Sequence, residues 1–590
     1  MGFGFGQNQD PGTPPPAGVR TGRTPGSTIQ QELGTSTGSA RHSVTRYSKK
    51  SYSIGKPWDH KVTNRIAASA LFDACEVIDT DPPETGWTEF ILHTDAKIIY
   101  VGIDGDDAND GLSTNTSFAT LDAAFAAVES GDWILAQRGF DIDIGSKSYS
   151  MPGGIDAEHP TLFGAWGDSF DPMPHIRTTA GLGIVFNSES RNFTAYVDIH
   201  FEGRGHVEES DGSFGIAFRG GTGHLVEGCW VQGFGHGINC RKPGVSNLTV
   251  RRSVLLDNWT EGIYSTDSPA GILIGDDTTF HNNGHSAGSH NAYILDTNNL
   301  IWKRVWCIQA SRGNGLKHKQ NKSMTVRDSI FALSQADCPV HIQANQPEIG
   351  IGNRTYDCLF DLAGQPDAPP PVESPHPSAI NGQVDYEFRR NIILAAAHHT
   401  SGQQALALEK PYILQDVTIA DNIFYGWTST GIRVAPQNAS LVSGISITGN
   451  SLINLTNYAA GANSKIVQDL LGDPAKVVYS GNRYHGDGST PSDRLFGYGG
   501  VNMSYAEWVA ASGETDSELV TDATGGYPDP TRNLNRYTVE VLGLGPDATF
   551  KDDMLPLLLQ QRKGNWSTAL EVLPALNYVR AGFNLVALAP

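Results

Sequence analysis

The sequence predicts an all-β chain: a right-handed parallel β-helix solenoid with an N-terminal capping helix and a partly helical C-terminal segment. Three observations predict it. A short apolar strand, a two-residue polar break and a second short strand recur in about ten units between residues 180 and 485. The anchors Val226, Val250, Ile274, Trp302 and Val326 are 24, 24, 28 and 24 residues apart, and Phe388, Ile419, Ile447 and Tyr479 are 31, 28 and 32 apart. Inside each unit there is no 3.6-residue period, which helical repeats of this length would show. The composition agrees: 66 Gly and 32 Pro with only 18% charged residues suit many short strands joined by frequent turns. An antiparallel sandwich of hairpins would not keep one strand–break–strand signature over so many units.

The elements follow in chain order. Residues 1–55 are rich in Gly, Pro, Ser, Thr and Gln and read as a flexible N-terminal arm. Residues 56–96 form a small adaptor region. The β-helix occupies 97–485, opening with the strand and Asp/Gly turn KIIYVGIDGDDANDGLS. In the next stretch Leu121, Ala124, Phe125 and Val128 follow the i, i+3, i+4, i+7 pattern of an amphipathic helix. Thr120 or Ser117 can cap it and Gly131 can end it. A solenoid must cover its apolar end, and this helix is placed to do so. Residues 486–590 lose the repeat, turn partly helical and are expected to serve as a cap or oligomer contact.

Bulk properties restrict the function. Asp and Glu number 63 against 42 Lys and Arg, a net charge of −21, which argues against a nucleic-acid binder. A locally basic groove for an acidic glycan remains compatible with that charge. The N-terminal stretch has neither the basic start nor the apolar run of a secretion signal, and no segment is apolar for long enough to span a bilayer. The six cysteines are dispersed without a C-x-x-C pair, so they read as small core residues.

The turn DGDDANDGLS, the helix SFATLDAAFAAVESGDWI and the coils after them resemble the pectate-lyase-like β-helix superfamily. That group includes polysaccharide lyases, epimerases, glycoside hydrolases and phage tailspikes. The resemblance covers about residues 97–485 and is specific for fold rather than reaction. It implies a polysaccharide ligand and, by the habit of tailspikes, a homotrimer.

Stacked coils turn equivalent positions into columns. Gly237-Ile238-Asn239, Gly262-Ile263-Tyr264, Asn291-Ala292-Tyr293, Gly315-Leu316-Lys317 and Pro339-Val340-His341 align. The apolar middle residue points inward, so the third points out. The predicted outward column is Asn239, Tyr264, Tyr293, Lys317 and His341, with Arg241, Lys319 and Gln343 one strand step on and Arg433 on a later coil. Aromatic rings pack on sugar faces and cations hold carboxylates or sulfates. A ladder that only stabilises adjacent coils would look the same.

The segments HNNGHSAGSHNAY and RGNGLKHKQ add His281, His285, His290, Arg312 and His318. The expected edge of the groove is His290, His318 and Lys319. The three closely spaced histidines lack the i, i+4 spacing of a helical zinc site, so no metal is expected there. The loop Asp104, Asp106, Asp107 and Asp110 reads as a plain turn, with calcium as the alternative. No cofactor is expected otherwise.

A β-elimination lyase neutralises a uronate carboxylate, removes its C5 proton and protonates the leaving oxygen. Lys317, Tyr293, His290 and His318 are the catalytic candidates for this. GLKHK resembles the Lys-bearing coil of chondroitinase-B-like and alginate lyases, although the calcium–carboxylate arrangement of that class is not found. A glycosidase needs two carboxylates across its cleft, and the roles of Asp257, Asp267, Asp276, Asp277 and Asp296 read mainly as turns.

The first expectation is a phage virion tailspike-like protein that binds a host surface polysaccharide, with depolymerisation left open. Its arm would dock on other virion proteins. The alternatives are a bacterial polysaccharide lyase or epimerase acting on an acidic glycan, and a non-catalytic structural β-helix. Localisation is virion or extracellular, with no nucleic acid and no membrane span involved.

Overall fold

A computed structural model describes residues 86–589 except 179–182, 206–212, 242–243, 267–269, 287, 320, 334–339, 344–349, 362–377, 381, 395–403, 411–412, 428–429, 456–464 and 487–494. The predicted arm and residues 56–85 of the adaptor lie outside the described residues, as do Cys75 and Cys338. No helix among the described residues is long and apolar enough to cross a membrane.

Parallel strands stack into three long sheets that run the length of a right-handed β-helix. Successive strands enter the sheets in the order first, second, third, with Gly350–Ile351 and Val442–Ser443 as extra short strands on the first. The predicted anchors are in register on the first sheet: Val226, Val250, Ile274, Trp302 and Val326 pair coil by coil, and all are buried. Phe388, Ile419, Ile447 and Tyr479 form the later run. Between the runs lies a coil without a large anchor, in which Thr355 pairs with Val326 and Phe388.

The two-residue polar break is the corner between the first and second sheets. Its second residue adopts a left-handed backbone: Arg252, Arg304, Asp328, Asp357, Arg390 and Asp421 all have φ between 48° and 57°. Asp tolerates that region through local hydrogen bonding, whereas Arg pays a steric cost there. The arginines hold acidic partners on neighbouring coils, Arg304 on Asp276 and Arg390 on Asp357 at 2.7 Å. The residue after the corner points inward. Asn391, Asn422, Asn450 and Asn482 occupy it on successive coils and form a buried ladder, in which the Oδ1 of each of the last three accepts from the backbone N–H of the preceding Asn at 2.9–3.0 Å.

Both ends of the core are closed. Thr120 caps the helix Leu121–Ala127 by accepting from Ala123 N–H, and Asp107 accepts from the backbone N–H of Ala119 and Thr120. Phe125 projects from this helix onto Tyr149, Phe163 and Phe186. Asp106 accepts from Ala108 N–H, and Asp110 from Thr116 and from Leu112 N–H, so three of the four carboxylates in this loop are engaged in holding its turns. At the far end parallel pairing continues beyond 485 as far as Glu518–Leu519. The helix Tyr505–Ser512, with its Ser504/Glu507 capping box, inserts Trp508 among Tyr479, Phe496 and Tyr498. Glu514 ends the asparagine ladder, accepting from Asn482, Tyr484 and Trp508.

Two of the three outer faces carry other parts of the chain. Phe90 and Leu92 pack on Trp133, Leu135, Leu162, Ala195 and Leu225 of the first sheet. The C-terminal segment lies along the second sheet. Its Leu534, Tyr537, Phe550, Leu576, Val579 and Phe583 cover Trp306, Ile308, Ile330, Leu359, Ile392 and Ile423. The four described cysteines, Cys229, Cys240, Cys307 and Cys358, are buried free thiols.

Candidate functional site

The third sheet carries the predicted column. Asn239 pairs with Tyr264, Tyr264 with Tyr293, Tyr293 with Lys317 and Lys317 with His341. Alternation along each strand sends Ile238, Ile263, Ala292 and Leu316 into the core and this column outward. Tyr264, Tyr293 and Lys317 are half-buried, whereas Asn239 is only 1% exposed. The side chain of His341 lies outside the described residues.

A second outward column stands beside the first, at the corner where each coil enters the third sheet. Phe214 pairs with His236, His236 with Glu261 and Glu261 with His290. Each residue immediately precedes the aligned Gly–Ile or Asn–Ala pair, so the signal stood one position ahead of the motif that reveals the first column. Phe214, His236 and Glu261 are the residues that sequence reasoning missed. Glycine follows His236 for a steric reason: a Cβ on Gly237 would lie 2.7 Å from Gly262 O and 2.9 Å from Asn258 Nδ2.

The two columns merge into one strip of rings. Phe214 stacks on His236 at 5.1 Å, His236 on Tyr264 at 5.1 Å, and Tyr264 meets Tyr293 at 5.7 Å. Lys317 Nζ ends the strip 5.8 Å from the centre of the Tyr293 ring. Burial, with Tyr264 and Glu261 nearby, pushes the Tyr293 phenol above its ordinary value. Glu261 Oε2 lies 2.8 Å from His236 Nδ1, within ion-pair distance but off the line of a hydrogen bond. Asn239 Nδ2 is buried and meets no hydrogen-bond partner among the described residues.

The remaining predicted residues divide. His318 does not stand at the groove edge: it pairs with Ile294 and Ile342 in an inward column and is buried in the core. Its position alternates with those of Lys317 and Lys319, which both face out. His290 is also buried, at the base of the strip, with Nδ1 accepting from Asn314 N–H at 2.9 Å and its ring 5.4 Å from Tyr293. Arg241 is exposed and pairs with Thr266, and Lys319 pairs with Leu295 and Gln343, so the neighbouring column is not a run of cations. Arg433 shares the main column but is separated from His341 by Ala379 and Ala407. At roughly 4.8 Å per strand it lies about 19 Å from Lys317, in a different neighbourhood.

His281 belongs to the second sheet, where burial lowers its pKa to about 4, and His285 stacks on Trp259 in the following turn. Those two histidines and His290 therefore occupy three different parts of a coil. Among the described residues no group of three His, Cys, Asp or Glu side chains is arranged to hold a metal ion.

Fold and strip together define a three-sheet right-handed parallel β-helix with a ring-lined outer face. No family model matches the chain, and no curated protein matches it in sequence. Among solved structures it is similar to a lacto-N-biosidase from Eubacterium ramulus, at 12% identity over 72% of this chain and 68% of that one, with a TM-score of 0.36. It is similar to the Dettilon tailspike protein, at 9% identity over 74% and 70%, with a TM-score of 0.34. A mannuronic acid specific polysaccharide lyase from human gut microbiota matches at 10% identity over 67% and 87%, with a TM-score of 0.39.

Proposed function

We propose that this protein is a tailspike-like virion component that binds a host surface polysaccharide along the third sheet. The observation that carries this is the continuous strip Phe214–His236–Tyr264–Tyr293, ending at Lys317. Sugar rings present apolar faces that pack on aromatic rings, and a half-buried ammonium favours an anionic substituent. Rings repeated once per coil suit a polymer lying along the solenoid. In this reading the arm at residues 1–55 docks on other virion proteins and the assembly is a homotrimer.

A second reading, a polysaccharide lyase or epimerase acting on an acidic glycan, is favoured by the carboxylate and imidazole beside the strip. The assignment of Lys317 as base and Tyr293 as acid belongs to it.

Affinity electrophoresis through gels containing alginate, polygalacturonate, hyaluronate or dextran tests the glycan surface. At least one acidic polymer is expected to retard the protein. Lys317→Ala removes a charged contact of about 1.5–3 kcal/mol, roughly a 10- to 100-fold loss of affinity. Tyr264→Ala loses a ring contact of about 0.5–1.5 kcal/mol. Retardation that neither substitution changes would place the binding surface elsewhere.

A further inference from the structure

We propose that His236 is a general base, held in one tautomer by Glu261 and Thr260, that removes the C5 proton of a uronate bound across Asn239 and Tyr264. The inference rests on the glycan-surface reading above and adds a reaction to it.

The Thr260 hydroxyl fixes the tautomer. Its only proton is donated to the Gly235 carbonyl. Thr260 Oγ1 lies 3.2 Å from His236 Nδ1 and so can only accept from it. The Glu261 carboxylate lies 2.8 Å from the same nitrogen, off the line of a hydrogen bond. Thr260 therefore requires a proton on Nδ1, and the carboxylate beside that nitrogen favours the same tautomer. In the neutral ring this leaves the lone pair on Nε2, at the opposite edge of the imidazole. The side chain is 18% exposed, whereas that of Glu261 is 7% exposed. The carboxylate is thus the more buried of the two and orients the ring, leaving Nε2 as the nitrogen that can take a proton. His290 has the reverse arrangement. Its Nδ1 accepts from Asn314 N–H, so the neutral ring carries its proton on Nε2 and is not a base there.

The neighbours select the reaction. Among the described residues Glu261 is the one carboxylate of the strip, and it already faces His236, so no second carboxylate stands across from it there as a glycosidase pair would. Elimination needs a base, a donor to the uronate carboxylate and an acid. Asn239, on the same strand as His236, carries a buried Nδ2 with no partner among the described residues. That amide can donate to the uronate carboxylate as negative charge builds on it. Tyr264 stacks on His236 from the next coil and supplies the hydroxyl.

His236 Nε2 takes the C5 proton, and the C–H electron pair becomes the C4=C5 double bond. The C4–O bond breaks, and the departing oxygen takes the Tyr264 proton. Water then reprotonates Tyr264 and accepts the proton from His236. The products are an unsaturated chain end and a free hydroxyl end. Glu261 and Thr260 are positioning residues, because they act through the ring.

The full chain is incubated with alginate, polygalacturonate and hyaluronate, and the ultraviolet absorbance of conjugated unsaturated ends is followed. Elimination is expected on at least one polymer that binds. His236→Ala should lower its rate about 10²- to 10⁴-fold while binding remains. Glu261→Gln takes away the carboxylate that orients the ring, so it should lower kcat while leaving KM near that of the parent. Nitrogen NMR of the histidine rings should show His236 protonated at Nδ1. Binding without elimination, an undiminished rate in His236→Ala, or a proton on Nε2 of the neutral ring would each overturn the proposal. Failure of all three polymers to bind would instead count against the glycan-surface reading.

Discussion

At the residue scale, the corner between the first and second sheets shows how the repeat is specified. The left-handed position accepts Asp or Gly readily, and it accepts Arg where an acid on a neighbouring coil holds the guanidinium. The inward residue after it must satisfy backbone groups that the turn leaves without strand partners. Asn422 does this in both directions: Oδ1 accepts from Asn391 N–H and Nδ2, and Nδ2 donates to the Phe388 carbonyl at 2.9 Å. Asn422→Ala would strand buried groups on two sides, at about 1–3 kcal/mol each. A clear fall in thermal midpoint is expected, with faster hydrogen exchange in the coils near 391 and 450. An unchanged midpoint would mean that water replaces the amide. These corners were legible because they repeat in sequence. The Thr355 coil was not, because a threonine anchor gives no apolar signal.

At the scale of elements, alternation along a strand made Asn239, Tyr264, Tyr293 and Lys317 readable as one column. The same rule places His318 inside, and only its proximity to two outward lysines suggested otherwise. Glu261 and His236 escaped notice because their column sits at a corner, where strict two-residue alternation no longer holds.

The last helix, Val572–Gly582, illustrates a different limit. Val572 N–H donates to Asp277 Oδ1 at 2.7 Å, a contact 295 residues apart that no local pattern announces. Burial, with Glu571 adding to it, pushes the Asp277 acid up to about 7, against the pull of Arg252. Asp328 is raised to about 6, chiefly by burial. An unfolded Asp titrates near ~3.9, so between that pH and about 7 the folded state binds more protons. This contribution is therefore fully present below about pH 4, is lost as pH rises to about 7 and is flat above. Asp277→Asn keeps an acceptor for Val572 and removes the titration. The variant should melt with a shallower dependence between pH 4 and 7 and should gain on the parent at pH 8. Parallel melting curves at every pH would refute this role for Asp277.

At the scale of the whole molecule, the C-terminal segment acts as a splint rather than as an end plug. The apolar end of the solenoid is already closed by Trp508, so residues beyond 520 have other work. Arg562 donates to the Phe170 carbonyl, Trp230 Nε1 to Gln561 O, and Trp306 Nε1 to Leu570 O. Asp361 accepts from Leu534 N–H, and Phe583 packs edge-on against Tyr425. One segment is therefore tied to coils from the beginning of the solenoid to well past its middle. In a repeat protein each coil otherwise contacts only its neighbours, so a tie across many coils couples their unfolding.

Ending the chain at residue 520 should leave the strand content of the circular dichroism spectrum intact, because the three sheets and both end caps remain. It should also expose Trp306, Ile308, Ile330, Leu359, Ile392 and Ile423 as one apolar stripe, which invites association. The shortened protein is expected to bind a hydrophobic dye, to aggregate on concentration and to unfold over a broader temperature range than the full chain. Static light scattering and a melting curve read all three effects. A truncated protein that stays monodisperse and melts as sharply as its parent would mean that the coils cooperate without the splint.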